Sequence, residues 1–251
     1  MTGLLAEAIA AHGGAERWAQ ISELRWDMSA WGALFVAKRA RVRLPRYEAR
    51  LWTREPRAVF APYPGPGRRG VFTPAEVRIE TDAGDVVAQR SNPRAAFNAR
   101  RLVWWDHLDL LHFAGYATWA YATAPFLFAQ PSFATREIEP SGASGALRRR
   151  LAVTFPADLP AHSREQVFHV DDDGTLRRND YTAEVVGRWA RAAHQLDGYR
   201  EFGGIRIPTR RRVRPRLPNG RAAPFPTLVA LRIHDAQVVT ERVGGVGGPL
   251  T

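Results

Sequence analysis

From Leu24 to Glu55, aromatic and aliphatic residues alternate with polar ones: Leu24, Trp26 and Met28, then Val36, then Val42 and Leu44 between arginines, then Tyr47, Ala49 and Leu51. A period of two belongs to a strand with one buried and one wet face, and the stretch predicts three antiparallel strands. The same alternation returns later, predicting strands over 134–138, 147–155, 166–170, 176–181, 184–196, 199–202, 205–213 and 227–239. Asp172-Asp173-Gly174 and Pro218-Asn219-Gly220 supply tight turns between some of these. A further hairpin is predicted at 76–81 and 85–90 around Asp82-Ala83-Gly84, after a Pro/Gly-rich loop at 62–70.

Two segments break the period. Thr2 is placed to cap a short helix through Ala11, which Gly13-Gly14 interrupts, and residues 15–21 continue it with Trp18, like a lid or plug. The longest helix candidate, 103–121, is ended by Pro125 and carries Trp104, Trp105, Phe113, Tyr116, Trp119 and Tyr121, a load of aromatics that implies deep burial. The fold class expected is mainly β (α+β), with a long antiparallel sheet in one domain over residues 1–242. The glycine-rich end, 243–251, reads as a frayed tail.

Composition narrows the picture. A chain of 251 residues with 45% hydrophobic and 24% charged side chains is globular, and all-β domains reach this length undivided. Without cysteine there is no disulfide and no thiolate chemistry. The net charge of +11 suggests nucleic acid, yet Lys38 is the only lysine and the arginines spread from Arg17 to Arg242 without clustering, so no nucleic-acid partner is expected. The first residues lack a basic and an apolar targeting region, and no apolar run is long enough to span a bilayer. A cytoplasmic location is the expectation.

The opening Ala11-His12-Gly13-Gly14-Ala15-Glu16-Arg17-Trp18, followed by a strand at Leu24, resembles the start of proteins with the fold of the bacterial outer-membrane lipoprotein carriers (LolA/LolB-like). In the second half Phe155-Pro156, His162-Ser163, Gln166-Val167-Phe168, Asp173-Gly174-Thr175-Leu176 and Asp180-Tyr181 look like that superfamily's paired strands. Gly204-Ile205-Arg206-Ile207-Pro208-Thr209-Arg210-Arg211 resembles its late strand. The resemblance implies an incomplete barrel, curved around a central helix, whose concave apolar face receives acyl chains or other hydrophobic ligands. Function does not transfer with a fold. The sequence has no cysteine for a lipoprotein anchor, no secretion signal is expected from its first residues, and the aromatic helix lies outside the resemblance.

That helix holds the candidate chemistry. Trp105, Asp109, His112, Tyr116 and Trp119 fall within roughly 80° of one another on a helical projection, with Phe113 beside them. Asp109, one turn before His112, is placed to orient the imidazole and raise its pKa, leaving the other nitrogen free to move a proton. Tyr116 can donate to a developing oxyanion. The competing explanation is a solvated helix pair beside core aromatics. His107 and His112, five residues apart, point about 140° away from each other, so no metal is implied. Tyr181 and one or two of His162, His169, His194 and His234 are expected at the cavity. Gly65-Pro66-Gly67-Arg68-Arg69-Gly70 matches a dinucleotide fingerprint in letters, but no helix follows to hold a pyrophosphate, and no cofactor is implied. Within the arginine run 210–216, Arg210 or Arg211 meets a ligand carboxylate if its side chain points inward.

The expected function is therefore binding of an isoprenoid, polyketide or lipid-like molecule, followed by cofactor-free proton transfer of an isomerase, cyclase or lyase type, as in small-molecule biosynthesis. His112, Asp109 and Tyr116 would act, with Trp105, Phe113, Trp119, Tyr181 and Arg210 holding the ligand. The alternative is a non-catalytic carrier or sensor. Whether Asp109, His112 and Tyr116 face the cavity separates the two. The sequence is silent on oligomeric state.

Overall fold

A side-chain period of two can bury one face of a strand only if neighbouring strands present the same face, and among the described residues thirteen strands pair in one sheet. The computed structural model describes residues 3–40, 44–141 and 148–240. Six strands come first: β1 (Ile21–Trp31), β2 (Leu44–Trp52), β3 (Ala58–Ala61), β4 (Arg68–Phe72), β5 (Glu76–Thr81) and β6 (Val86–Ser91). Seven follow: β7 (Ala134–Ser141), β8 (Arg148–Thr154), β9 (Glu165–Val170), β10 (Leu176–Thr182), β11 (Arg191–Phe202), β12 (Ile205–Pro215) and β13 (Val229–Thr240). In space the order runs from β6 back to β1, then from β13 back to β7, antiparallel throughout. The first and last strands thus pair at the sheet's middle, Trp26 opposite Ala236 on one side and Ala49 on the other. Small residues flanking the indole let the inner face close over it, and Trp26 is fully buried.

Among the described residues four α-helices accompany the sheet: α1 (Leu4–Ala11), α2 (Ala15–Ala19), α3 (Ala33–Ala37) and α4 (His107–Thr123). α4 connects the two halves of the chain and touches β2 to β6 near one edge of the sheet. Its last turn accepts a hydrogen bond from Arg211 of β12, and Tyr121 meets His194 of β11 ring to ring at 4.5 Å. One helix reaches strands that far apart only because the sheet curves around it. Fourteen of its residues are buried, so it has almost no polar side. Gly115 permits the contact with β4: a Cβ there would come within 2.2 Å of the Phe72 ring. At the opposite end, the His12-Gly13 stretch lies on the β11–β12 turn, where Arg206 N donates to His12 O at 3.1 Å. Gly13, at φ +119°, has no room for a Cβ beside the Gly204 carbonyl.

Several expectations change. Between Leu24 and Glu55 there are two strands, not three, because Ala33-Leu34-Phe35-Val36-Ala37 winds into α3. Residues 68–70, expected in a loop, begin β4, and β3 was not anticipated. The strand expected over 184–196 begins only at Arg191, after a turn. Thr2, residues 41–43 and the glycine-rich tail lie outside the described residues. Among the described residues no helix is long and apolar enough to cross a membrane.

Candidate functional site

The start of α4 determines what Asp109 does. Asp106 is the N-cap and Asp109 the third helical residue. Asp109 N donates to Asp106 Oδ1 at 2.9 Å, and Asp106 N donates to Asp109 Oδ2 at 3.1 Å, a reciprocal capping box. Arg90 of β6 donates to both carboxylates, at 2.7 Å to Asp109 and 2.6 Å to Asp106, and Arg101 stands 3.4 Å from Asp109. Burial raises the Asp106 pKa, but the hydrogen bonds from Arg90 and the Asp109 backbone, with the charges of Arg90 and Arg101, together outweigh it and hold the carboxyl at about 2. The carboxylate that the sequence offers to His112 is thus spent on the helix terminus.

His112 is fully buried with neither ring nitrogen bonded. Phe72, Phe97 and Tyr116 surround it, their ring centres 5.3 to 5.8 Å away. Burial pulls its pKa down to about 3, so it is neutral at physiological pH. The expected Asp109–His112 relay does not form. Trp105 precedes the N-cap and so has no place on the helical projection; it is buried against Phe97 and Phe113, with its indole N–H unpartnered. Trp119 packs in a second apolar cluster with Leu127 and Phe155 and donates to the Trp52 carbonyl at 2.8 Å. Arg210 points to solvent, and Arg211 points in.

What α4 does bring together is Tyr116, Tyr121 and His162. His162, on the segment before β9, lies 2.7 Å from Tyr121 Oη through Nε2 and 3.3 Å from Tyr116 Oη through Nδ1. Its ring stacks on Tyr181 of β10, centres 4.0 Å apart and planes 5° from parallel, and Tyr181 Oη is 3.4 Å from Tyr121 Oη. Burial takes His162 down to about 3 and Tyr121 up to about 12, so the network is neutral near pH 7. Its neutral groups carry hydrogen bonds, with one phenol donating to the imidazole and one accepting from it.

Tyr181 and Phe113 also wall a cavity of about 490 Å³, bounded by α3, the turn between β10 and β11, the end of β12 and the start of β13. Its lining is overwhelmingly aliphatic, and Trp189, 78% exposed, stands at its mouth. Asp109, His112 and Tyr116 are not in its wall. Three cations line it: Arg191 is exposed, Arg216 lies 3.4 Å from Asp180, and Lys38, 5% exposed, donates through its ammonium to the carbonyls of Leu102 and Val186 and lies 5.4 Å from the Trp105 ring centre. Lys38 is the one of the three held by carbonyls alone. No carboxylate of the described residues lies within ion-pair distance of it. Sequence reasoning missed Lys38, although a solitary lysine after the apolar run Leu34-Phe35-Val36-Ala37 was a visible signal. It named Arg211 only as an alternative to Arg210. Parity decides between them, since Ile205, Ile207 and Val213 put the odd positions of β12 on the core face.

No protein-family model matches the chain, and no curated protein does. Among solved structures it is similar to a LolA superfamily protein from Nitrosomonas europaea, at 11% identity and a TM-score of 0.50, covering 95% of this chain and 92% of that one. It is also similar to a DUF1329 family protein from Desulfovibrio piger, at 10% identity and a TM-score of 0.48, covering 97% and 93%. The first likeness establishes a LolA-like fold, a mostly β half-barrel with a curved open antiparallel sheet.

Proposed function

We propose that the protein binds an apolar small molecule, of lipid-like, isoprenoid or polyketide character, in the cavity behind Trp189, as a carrier or sensor. The observation that supports this reading is the cavity itself: about 490 Å³ of space between the sheet and α3, lined by aliphatic and aromatic side chains, is the size and chemistry of a small-molecule site. Lys38 refines it. A buried ammonium paired only with carbonyls favours a ligand whose polar end is an acid, because an ionised partner hydrogen-bonds it more strongly than a neutral one. The catalytic reading needs acid and base groups at the ligand, and Asp109 and His112 face elsewhere, so binding without turnover is the better-supported of the two.

The test uses the intact chain and two probes, neutral N-phenyl-1-naphthylamine by fluorescence and oleate by displacement. Both bind in the micromolar range or tighter. Ala190→Trp, which fills the cavity from the β10–β11 turn, weakens both at least about tenfold, some 1.4 kcal/mol, without lowering the thermal midpoint. Lys38→Met weakens oleate by about the same factor and leaves the neutral probe unchanged. A wild-type protein that binds neither probe, or an Ala190→Trp variant that binds both as tightly, overturns the proposal. Native mass spectrometry of the purified protein identifies the resident molecule. A product accumulating from it would restore the isomerase, cyclase or lyase reading.

A further inference from the structure

A buried positive charge is costly unless something negative or strongly accepting lies beside it, typically several kcal/mol. Arg211 is 4% exposed at the centre of the sheet's inner face. Its Nη2 donates to the Tyr121 carbonyl at 2.9 Å, its guanidinium carbon lies 4.9 Å from that residue's ring centre, and its Nε–H has no partner. The groups bearing on its charge are the phenols of Tyr199, Tyr121 and Tyr181, and no carboxylate of the described residues pairs with it. The last turn of α4 supplies about half a negative charge through its carbonyls, which offsets the cation in part. One strand away, His194 is fully buried with both nitrogens unpartnered.

These orphans face the same space. Arg211, His194, His12, Tyr121, His162 and Tyr199 line an internal cavity of about 20 Å³, enough for a group the size of one water. The imidazoles add no charge, because burial holds His12 at about 4, His162 at about 3 and His194 well below its ordinary value. Asp173 acts on His12 and Tyr199 at the edge of this cluster, not on Arg211, and is itself hydrogen-bonded to Thr175. The chamber thus carries one net positive charge and two unused donors. The geometry points to an internal binding site for a single small monoanion, a halide or one carboxylate group, held by the Arg211 Nε–H and an N–H of His194. Phosphate or sulfate is too large for the chamber. The anion has two sources, free solution or the acid end of the apolar ligand, since His162, which lines the chamber, stacks directly on Tyr181, which lines the larger cavity.

The site does not depend on occupancy of the larger cavity, so it is tested first with free ions. The intact chain is melted at fixed pH and ionic strength in gluconate, with chloride, bromide or formate replacing it stepwise. A saturable rise in thermal midpoint with the small anions supports the site, because an ion that binds only the folded state raises the midpoint by mass action. His194→Phe then weakens the response about tenfold, and Arg211→Met abolishes it. If Arg211→Met does not fold, broadening of the chloride-35 nuclear magnetic resonance line by wild-type protein, relieved by formate, provides the same information. A stabilising response to oleate that Arg211→Met or His194→Phe removes and Lys38→Met does not, with none to halide or formate, supports the site with the ligand's carboxylate as its anion. A midpoint indifferent to all these anions, or a halide response that survives both Arg211→Met and His194→Phe, overturns it.

Discussion

His112 shows how a residue with the right chemistry is disarmed by its surroundings. Its ring is enclosed by aromatics and its pKa is about 3; burial likewise holds His12 at about 4, His162 at about 3 and His194 well below 6.5. All four bind protons more readily in the unfolded chain, so their stabilising effect is complete above pH 6.5 and is lost as pH falls towards the folded values. Each costs about 1.4 kcal/mol per pH unit over that window. Against a total stability of about 5–15 kcal/mol, four such groups are decisive. The protein should unfold cooperatively in acid with a midpoint above pH 4, as followed by circular dichroism. His112→Leu, which removes one of these groups and a pair of unbonded buried nitrogens, should move that midpoint down. A chain still folded at pH 4 would show that the imidazoles are not buried neutral. For Asp109, Asp109→Asn keeps the capping oxygen but loses its charge towards Arg90 and Arg101. It should destabilise by about 1–3 kcal/mol in urea and leave probe binding in the large cavity unchanged. Loss of binding at full stability would return Asp109 to the ligand site. The residue types were legible in the sequence; their partners were not, because Arg90 and Arg101 come to Asp109 from outside its own helix.

Among the elements, α4 was visible by its aromatics and by Pro125, and most strands by their alternation. The helical projection failed because it presupposes a helix with a wet side. A helix buried nearly all round offers no sector that must face a ligand, and Trp105 lies outside the helix. α3 was hidden for a related reason. An unbroken apolar run of five carries neither period, and only its packing over the cavity next to β13 decides for a helical turn. Gly115 tests the seating of α4. Gly115→Val should cost about 1–3 kcal/mol in urea, because the new side chain must enter the Phe72 ring's space, outweighing any gain from removing a helical glycine. Unchanged stability would mean that α4 is free to move off β4.

For the molecule as a whole, the pairing of β1 with β13 joins the chain's two ends at the centre of the sheet. A protein stopped after Leu228 should therefore have no cooperative thermal transition, since it lacks the strand that links its halves. A cooperative melt would instead mean that one half folds alone. Such closure between distant segments is slow and entropically demanding, which is a cost local pattern cannot reveal. The mainly β class and the direction of most strands follow from the sequence by itself, because side-chain period and turn chemistry are properties of neighbouring residues. The tertiary structure alone decided that Arg211, His194, His162 and Tyr121 line one small cavity, and that Lys38 stands in the wall of another. Strand register and sheet curvature set those distances across more than a hundred residues of chain, and no periodicity within a segment encodes them.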